Sequence, residues 1–159
     1  MHTLCKLLLP AFLLYGCTGQ DTTGPVEVRW DRETCARCAM AVGDRYAAAQ
    51  VRGASAGQST RVYTFDDIGC AVIWLDDQPW KNDARTEIWV AEMHTGDWID
   101  ARTAHYVTGR ITPMDYGLGA HREASGGRLD FTRARDHILA KKTQAHPHGA
   151  GHPHAHPDE

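Results

Sequence analysis

The fold is decided by the stretch Arg61-Val-Tyr-Thr-Phe65, which runs directly into Asp66-Asp-Ile-Gly-Cys-Ala-Val-Ile-Trp-Leu75. The first five residues are rich in β-branched and aromatic side chains, which is typical of a strand. The next ten begin with two aspartates and continue as an apolar run, which is typical of a helix that Asp66 caps through a side-chain oxygen. A strand that leads directly into a capped helix favours an α+β fold.

The same order of features recurs later in the chain. A strand at 114–123, a Ser-Gly-Gly turn and a second strand at 128–131 lead into a helix that Thr132 caps. In the first copy, a strand at 40–51 and a Gly/Ser turn precede the strand and helix described above. We therefore predict two small related ββα-type units that share one core.

Two further elements are predicted between these units. Residues 87–93 alternate in polarity, which predicts a strand. Residues 97–107 predict a short helix that buries Ile99, Thr103 and Tyr106.

The composition is that of an ordinary globular protein. The chain has 159 residues, of which 42% are hydrophobic and 23% are charged, and this suits a single core, predicted at 26–142. Its formal net charge is −3, whereas nucleic-acid-binding proteins carry a basic stripe or tail. Nucleic acid is therefore excluded as a partner.

The N-terminus is typical of an exported bacterial lipoprotein. Residues 1–16 contain one cation before an apolar run that is too short to cross a membrane, which predicts a signal peptide. The sequence Leu14-Tyr-Gly-Cys17 resembles a lipobox, so we expect a lipidated Cys17 and a flexible tether over 17–25. The expected location is the periplasmic face of a Gram-negative membrane, and Thr18 favours the outer membrane. Plain secretion with a free Cys17 is the alternative.

Residues 143–159 form a tail rich in histidine, proline and glycine, a composition that predicts disorder. Imidazole is a ligand of Cu(II), Zn(II) and Ni(II), so the tail is interpreted as a reservoir for one of these ions. A disordered tail without a metal role is the alternative. The histidines concerned are His146, His148, His152, His154 and His156.

The clearest candidate for chemistry is Cys35-Ala-Arg-Cys38-Ala-Met40. Thiolates and thioethers are soft ligands that favour Cu(I), and Cys38 and Met40 can project to the same side of an extended segment. The alternative is a disulfide or redox pair between Cys35 and Cys38, with Met40 merely packed. Cys70, inside the predicted helix, is interpreted as a buried core residue.

A second thioether, that of Met114, lies in a loop that contains proline and glycine. A methionine there can simply fill a gap in the core. If the two units are related, however, Met114 corresponds to Met40, and both approach one interface. The site would then use Cys38, Met40 and Met114, with room for His121 or for a ligand from a partner. Cys35 would be either a ligand or a bystander.

Six short motifs stand in order along residues 33–139, which is nearly the whole predicted core. They are Cys35-x-x-Cys38-x-Met40, Tyr46-Ala-Ala-Ala-Gln50, Phe65-Asp-Asp-Ile-Gly-Cys70, Trp98-Ile-Asp-Ala101, Ala104-x-Tyr-Val107 and Thr112-Pro-Met114. In this order they resemble the NosL family, whose members are lipoprotein copper chaperones for the assembly of periplasmic nitrous oxide reductase.

The resemblance implies a fold of two ββα-type units, related to the N-terminal region of organomercurial lyase. It implies a protein that is not an enzyme, with Cu(I) held by Cys38, Met40 and Met114. The implied partner is the apoprotein of a copper enzyme, nitrous oxide reductase, or its assembly complex. Ala39 and Asp115 depart from the family pattern, because glycine is frequent at both positions, and this reduces backbone freedom beside the site.

Three other functions fit parts of the sequence. A thiol–disulfide oxidoreductase would use Cys35 and Cys38. An organomercurial-lyase-like enzyme would add an aspartate as proton donor. A structural lipoprotein would only buffer metal at its histidine tail.

Overall fold

The computed structural model describes residues 23–124 and 129–145 of the chain. This part contains six strands and two helices, so the predicted α+β class is confirmed. The elements are β1 (Ala49–Gly53), β2 (Arg61–Phe65), α1 (Ile68–Asp76), β3 (Glu87–Ala91), β4 (Trp98–Asp100), β5 (His105–Thr108), β6 (Leu118–His121) and α2 (Phe131–Ala145). The predicted signal peptide, the lipobox cysteine and the five tail histidines lie outside the described residues.

The folded part extends slightly beyond the predicted core at both ends. The backbone N–H of Gly24 donates to Glu87 at 2.7 Å, and its carbonyl accepts from Arg52 at 3.0 Å. At the other end, α2 continues past residue 142 to Ala145. Neither helix of the described ranges has the length and apolarity that a membrane span requires.

Two antiparallel sheets form the framework. The larger has the strand order β2-β1-β3-β4, and Val51 of β1 lies opposite both Tyr63 of β2 and Ile88 of β3. The smaller pairs β5 with β6, and a bridge between Glu92 and Ala120 joins it to the larger sheet. Helix α1 packs against β1, β2 and α2. This arrangement places the junction between β2 and α1 beside the larger sheet and α2.

One hydrophobic core includes residues from both sheets and both helices, as predicted. Phe65, Ile68, Tyr106 and Ile138 are each no more than 2% exposed. Burial of one such side chain stabilises the fold by about 1.5–3 kcal/mol. The core is therefore a rigid support for the turns that leave it.

The helix predicted at 97–107 is wrong, because β4 and β5 occupy this stretch with a tight turn between them. The carboxylate of Asp100 accepts the backbone N–H of Arg102, and its carbonyl accepts that of Ala104. One helix-like turn therefore exists, but it does not propagate, since the flanking residues pair with β3 and β6 instead. Thr103, which we expected to be buried, is exposed.

The second unit also differs from the prediction. Leu129 exchanges two backbone hydrogen bonds with Tyr106 of β5, at 2.8 and 3.1 Å, and does not pair with β6. Tyr106 pairs with Ala120 of β6 on its other side. The expected hairpin between β6 and the segment before α2 is therefore absent from the described residues.

The helix caps are displaced from their predicted positions. Asp67, rather than Asp66, caps α1 by accepting the backbone N–H three residues further on, at 3.0 Å. Asp130, rather than Thr132, accepts the equivalent N–H of α2, at 2.9 Å. In each case the aspartate directly before the helix has the extended geometry or the reach that an N-cap requires.

Candidate metal centre

The segment from Cys35 to Met40 forms a closed turn, which we call the cysteine turn. The backbone N–H of Cys35 donates to the carbonyl of Met40 at 2.8 Å, and the N–H of Ala39 donates to the carbonyl of Cys35 at 3.0 Å. Ala39 has a φ of 62°, the left-handed conformation that allows the chain to reverse. Thr34 and Ala41, on either side, form an antiparallel bridge. The turn therefore presents its cysteines from a fixed backbone.

The cysteine turn is held against the end of β2. The backbone N–H of Ala36 donates to the carbonyl of Thr64 at 2.9 Å, which brings the turn beside the first residues of α1. Cys70 lies there, and the sulfur atoms of Cys35, Cys38 and Cys70 are all within 4.8 Å of one another. All three are free thiols rather than disulfide partners. We call these three sulfur atoms the sulfur cluster.

Asp66 faces the cysteine turn. The Cys38 thiol donates to Asp66 Oδ2 at 2.8 Å. Burial raises the pKa of Asp66, whereas this hydrogen bond opposes the rise. Burial and then the hydrogen bond to Asp66 raise the pKa of Cys38 to about 12, so Cys38 is protonated in the metal-free protein. Asp66 Oδ1 is buried and has no hydrogen-bond partner among the described residues.

Of the other two cysteines, Cys35 differs from Cys38 in its charge, whereas Cys70 does not. A hydrogen bond from Cys70 lowers the pKa of Cys35 to about 4, although burial by itself raises it. A hydrogen bond from the backbone N–H of Cys38 also lowers this pKa. The pKa of Cys70 is raised, first because its proton bonds to Cys35 and then by burial. The guanidinium of Arg37 also donates to the Cys70 sulfur, at 3.8 Å. The cluster thus holds one thiolate and two thiols at neutral pH.

A single carboxylate brings Met114 to this region. Asp67 Oδ1 accepts the backbone N–H of Cys70 at 3.0 Å, as the cap of α1. Asp67 Oδ2 accepts the Thr112 hydroxyl at 2.9 Å and the backbone N–H of Met114 at 3.3 Å. The loop that carries Met114 is therefore attached to the same helix turn as Cys70.

The loop has a second attachment to α1. The ring of Tyr116 lies directly on Gly69, where an added Cβ would stand only 2.1 Å from the ring. Glycine is therefore required at this position for the loop to approach the helix. Asp115, between the two attachments, has a φ of 55°, again the left-handed region.

Two apolar side chains on the segments that carry the predicted ligands are exposed. Met40 is 52% exposed, and Ile111, one residue before Thr112, is 94% exposed. Cys38 and Met114 are half-buried. The predicted sulfur ligands therefore come from the cysteine turn and from a loop that is attached beside it. Met40 is exposed to solvent, and Cys38 and Met114 are partly so.

Two predictions need revision at this point. Cys70 is buried as expected, but its sulfur belongs to the cluster, which the interpretation as a core residue did not anticipate. The sequence did contain a signal for this role: Cys70 lies in the first turn of the predicted helix, just after the aspartates that follow the strand. His121, expected as an additional ligand beside Cys38, Met40 and Met114, lies instead in a separate group with Glu92 and His94.

Comparisons with known proteins bear on this site. A sequence model of the family described as NosL matches residues 25–122, a range that contains the cysteine turn, α1 and the loop that carries Met114. The chain is also similar to the crystal structure of the copper chaperone NosL from Shewanella denitrificans, with 15% sequence identity and a TM-score of 0.46. That similarity covers 76% of this chain and 88% of the other. The search of curated proteins finds no match.

Proposed function

The chain belongs to the NosL family, as its motifs predicted, and on this premise we propose that it is a copper chaperone that carries Cu(I) at Cys38 of the sulfur cluster and at the neighbouring methionines. The observation that carries the proposal is that Cys38 belongs to a group of three free cysteine sulfurs within 4.8 Å of one another, and that the loop of Met114 is attached to the helix turn of another member, Cys70. Soft thiolate and thioether ligands select Cu(I) over hard ions. We assign Cys38, Met40 and Met114 as the ligands.

The exposure of the donors supports a carrier that releases its cargo. Met40 is 52% exposed, so a donor from a partner protein can replace it without unfolding the site. A thioether also binds without losing a proton, so its release from the ion involves no proton transfer. Ile111, exposed on the loop of Met114, offers an apolar contact for the partner. We propose that this partner is a copper-enzyme apoprotein, nitrous oxide reductase in the first instance, or its assembly complex.

Two parts of this proposal concern residues outside the described structure. Lipidation at Cys17 would hold the carrier at the periplasmic face of the outer membrane. The histidines between 146 and 156 would collect divalent ions near that surface. Both remain expectations from the sequence.

A thiol–disulfide oxidoreductase fits the geometry less well. The thiolate of the pair is Cys35, which is only 1% exposed and therefore cannot attack a protein disulfide. The cysteine turn also lies between two bridged residues rather than at the start of a helix, where redox Cys-x-x-Cys motifs gain their reactivity. We therefore expect no reduction of insulin by the protein.

The contact between Cys38 and Asp66 favours a second candidate, an organomercurial-lyase-like activity. In that reaction the carbon–mercury bond breaks, carbon takes a proton delivered through Asp66, and Hg(II) stays on the thiolates. The carrier hypothesis predicts binding of phenylmercury without release of benzene. Catalytic benzene release that is abolished by Asp66→Asn would favour the enzyme instead.

The carrier is tested by anaerobic competition for Cu(I) between the full chain and a chromogenic chelator. Cys38→Ser, Met40→Leu and Met114→Leu should each lower the affinity at least about tenfold, because outer-shell changes alone cost roughly 10–100-fold at metal sites. In every variant the five tail histidines are replaced by glutamine, so that the tail does not contribute. Cys35→Ser should retain tight binding.

Met93→Leu is the matched control. Met93 is buried, and its sulfur packs near Gly119 rather than at the cysteine turn. Its replacement should leave the Cu(I) affinity unchanged. Unchanged affinity in all three ligand variants would overturn the proposed site.

A further inference from the structure

We propose that Glu92, His94 and His121 form a second metal site, selective for a borderline divalent ion such as Zn²⁺ and independent of the sulfur cluster. One carboxylate oxygen and one nitrogen from each imidazole lie within 4.8 Å of one another. The three residues come from the end of β3, the turn after it and the end of β6. We call them the histidine cluster.

Glu92 is held in place by the turn that follows it. Its Oε2 accepts the backbone N–H of His94 at 2.9 Å and that of Thr95 at 2.8 Å. Glu92 is only 7% exposed, and these two hydrogen bonds fix the orientation of the carboxylate. The second oxygen, Oε1, is therefore directed at a constant position, where it meets His121.

The contact between Glu92 and His121 already has the spacing of two ligands on one ion. Their atoms Oε1 and Nδ1 are 3.3 Å apart. Oxygen and nitrogen ligands bind zinc at about 2.0–2.2 Å, and tetrahedral geometry then separates two ligand atoms by about 3.4 Å. The ring of His94 has its centroid 5.0 Å from that of His121 and is exposed, so it can turn toward the same point.

The donor types decide which ion the cluster would select. Two imidazoles and a carboxylate are the ligands of zinc sites that keep a fourth position open. Cu(I) prefers soft sulfur donors, so the histidine cluster and the sulfur cluster select different ions. The three residues line a shallow cavity of about 280 Å³, together with Thr95, Asp97, Arg122 and Glu123. A hydrated ion can therefore reach the site from solvent.

Zn²⁺ titration of the full chain, again with glutamine at the five tail histidines, tests the proposal. His94→Gln and His121→Gln should each remove one equivalent of Zn²⁺ or weaken its binding at least about tenfold, since one of three ligands is lost. Any Zn²⁺ held by the cysteines contributes equally to all variants. His94 is exposed, so its replacement is not expected to affect folding.

His105→Gln is the matched control, because His105 lies directly opposite His121 in the β5–β6 register but is not a member of the cluster. It should retain the full Zn²⁺ stoichiometry. Equal Zn²⁺ binding in all three variants would overturn the site. The Cu(I) affinity of each variant is measured in parallel and should stay constant. A loss of Cu(I) affinity that matches the loss of Zn²⁺ would show that the histidines act through the sulfur cluster. That result would also overturn the proposal of an independent site.

Discussion

The sulfur cluster and the histidine cluster are built in opposite ways. The sulfur atoms come from a turn closed by its own backbone hydrogen bonds and from a buried helix terminus. One imidazole, that of His121, lies at the end of β6, the other, that of His94, lies in the turn after β3, and a hydrogen-bonded glutamate is the only buried member of their group. Cargo that must be kept from water and oxidants gains from the first arrangement, whereas an ion that exchanges with solvent gains from the second.

The two clusters also differ in how closely metal binding is linked to the stability of the fold. The sulfur cluster shares its supports with the fold, since Asp67 is both the cap of α1 and the anchor of the loop that carries Met114. His94, in contrast, is exposed and is neither a helix cap nor the anchor of a loop. Changes to the supports of the sulfur cluster should therefore alter stability and metal binding together, whereas replacement of the exposed His94 should alter metal binding alone.

The largest effect is expected for Asp67→Ala. It removes a helix cap and two further hydrogen bonds, and each such loss costs about 1 kcal/mol, so the free energy of unfolding should fall by about 3 kcal/mol. The loop of Met114 should also be released, which lowers the Cu(I) affinity. Urea unfolding and the chelator competition described above measure the two effects.

Asp130→Ala is the control, because Asp130 is exposed and, within residues 23–124 and 129–145, the hydrogen bond of its carboxylate goes to the backbone of α2. It should cost about 1 kcal/mol, the value of a cap alone, and leave Cu(I) binding intact. Zn²⁺ binding at the histidine cluster should persist in both variants. Equal destabilisation by the two changes would contradict the anchoring role of Asp67.

The second effect concerns the charge of the sulfur cluster. Cys70→Ala removes the hydrogen bond that lowers the pKa of Cys35, so the pKa of Cys35 should rise and its thiolate should be protonated over a wider range of pH. The wild type should show one thiolate per chain by ultraviolet absorbance at neutral pH. Cys70→Ala should show less, and Cys35→Ser none.

Cys38→Ser is the comparison for this experiment, because the Cys38 thiol is already protonated at neutral pH. It should leave the thiolate absorbance close to that of the wild type. If Cys38→Ser abolished the signal and Cys35→Ser did not, the assignment of the charge within the cluster would be reversed.

The strands and helix around the sulfur cluster were predictable because their sequence signals are local. The β-branched run of β2, the aspartate pair and the apolar run of α1 each specify their own structure. The sequence did not show which of the two aspartates, Asp66 or Asp67, is the N-cap of α1. Both residues satisfy the pattern of an N-cap, and only the packing of the cysteine turn shows that Asp66 faces Cys38 while Asp67 caps α1.

The errors fall where tertiary pairing overrides a local preference. Residues 97–107 contain one helix-like turn at Asp100, but the residues on either side of this turn pair with β3 and β6 instead. Likewise, the sequence offered no sign that Glu92 would meet His121, because the bridge between Glu92 and Ala120 joins residues far apart in the chain. Contacts of that kind depend on the order of the strands, which periodicity does not determine.

The smallest effect is expected for Ala39→Gly, in the turn that supports the sulfur cluster. Ala39 has a φ of 62°, and a left-handed conformation costs an L-residue about 1–2 kcal/mol. Glycine relieves this strain but loses about 0.5–1 kcal/mol through the greater freedom of the unfolded chain. The free energy of unfolding should therefore rise by about 0.5–1 kcal/mol, with the Cu(I) affinity unchanged because every ligand is kept.

Ala36→Gly, in the same turn, is the control. It shows how glycine changes the free energy of unfolding where no strain is relieved. Ala36 is exposed and is not among the described residues with a positive φ, so its replacement should destabilise the protein by about 0.5–1 kcal/mol. Opposite signs in urea unfolding would confirm that the turn is strained at Ala39. A loss of stability in both variants would mean that alanine is accommodated there without cost, and that the rigidity of the sulfur cluster comes from its hydrogen bonds alone.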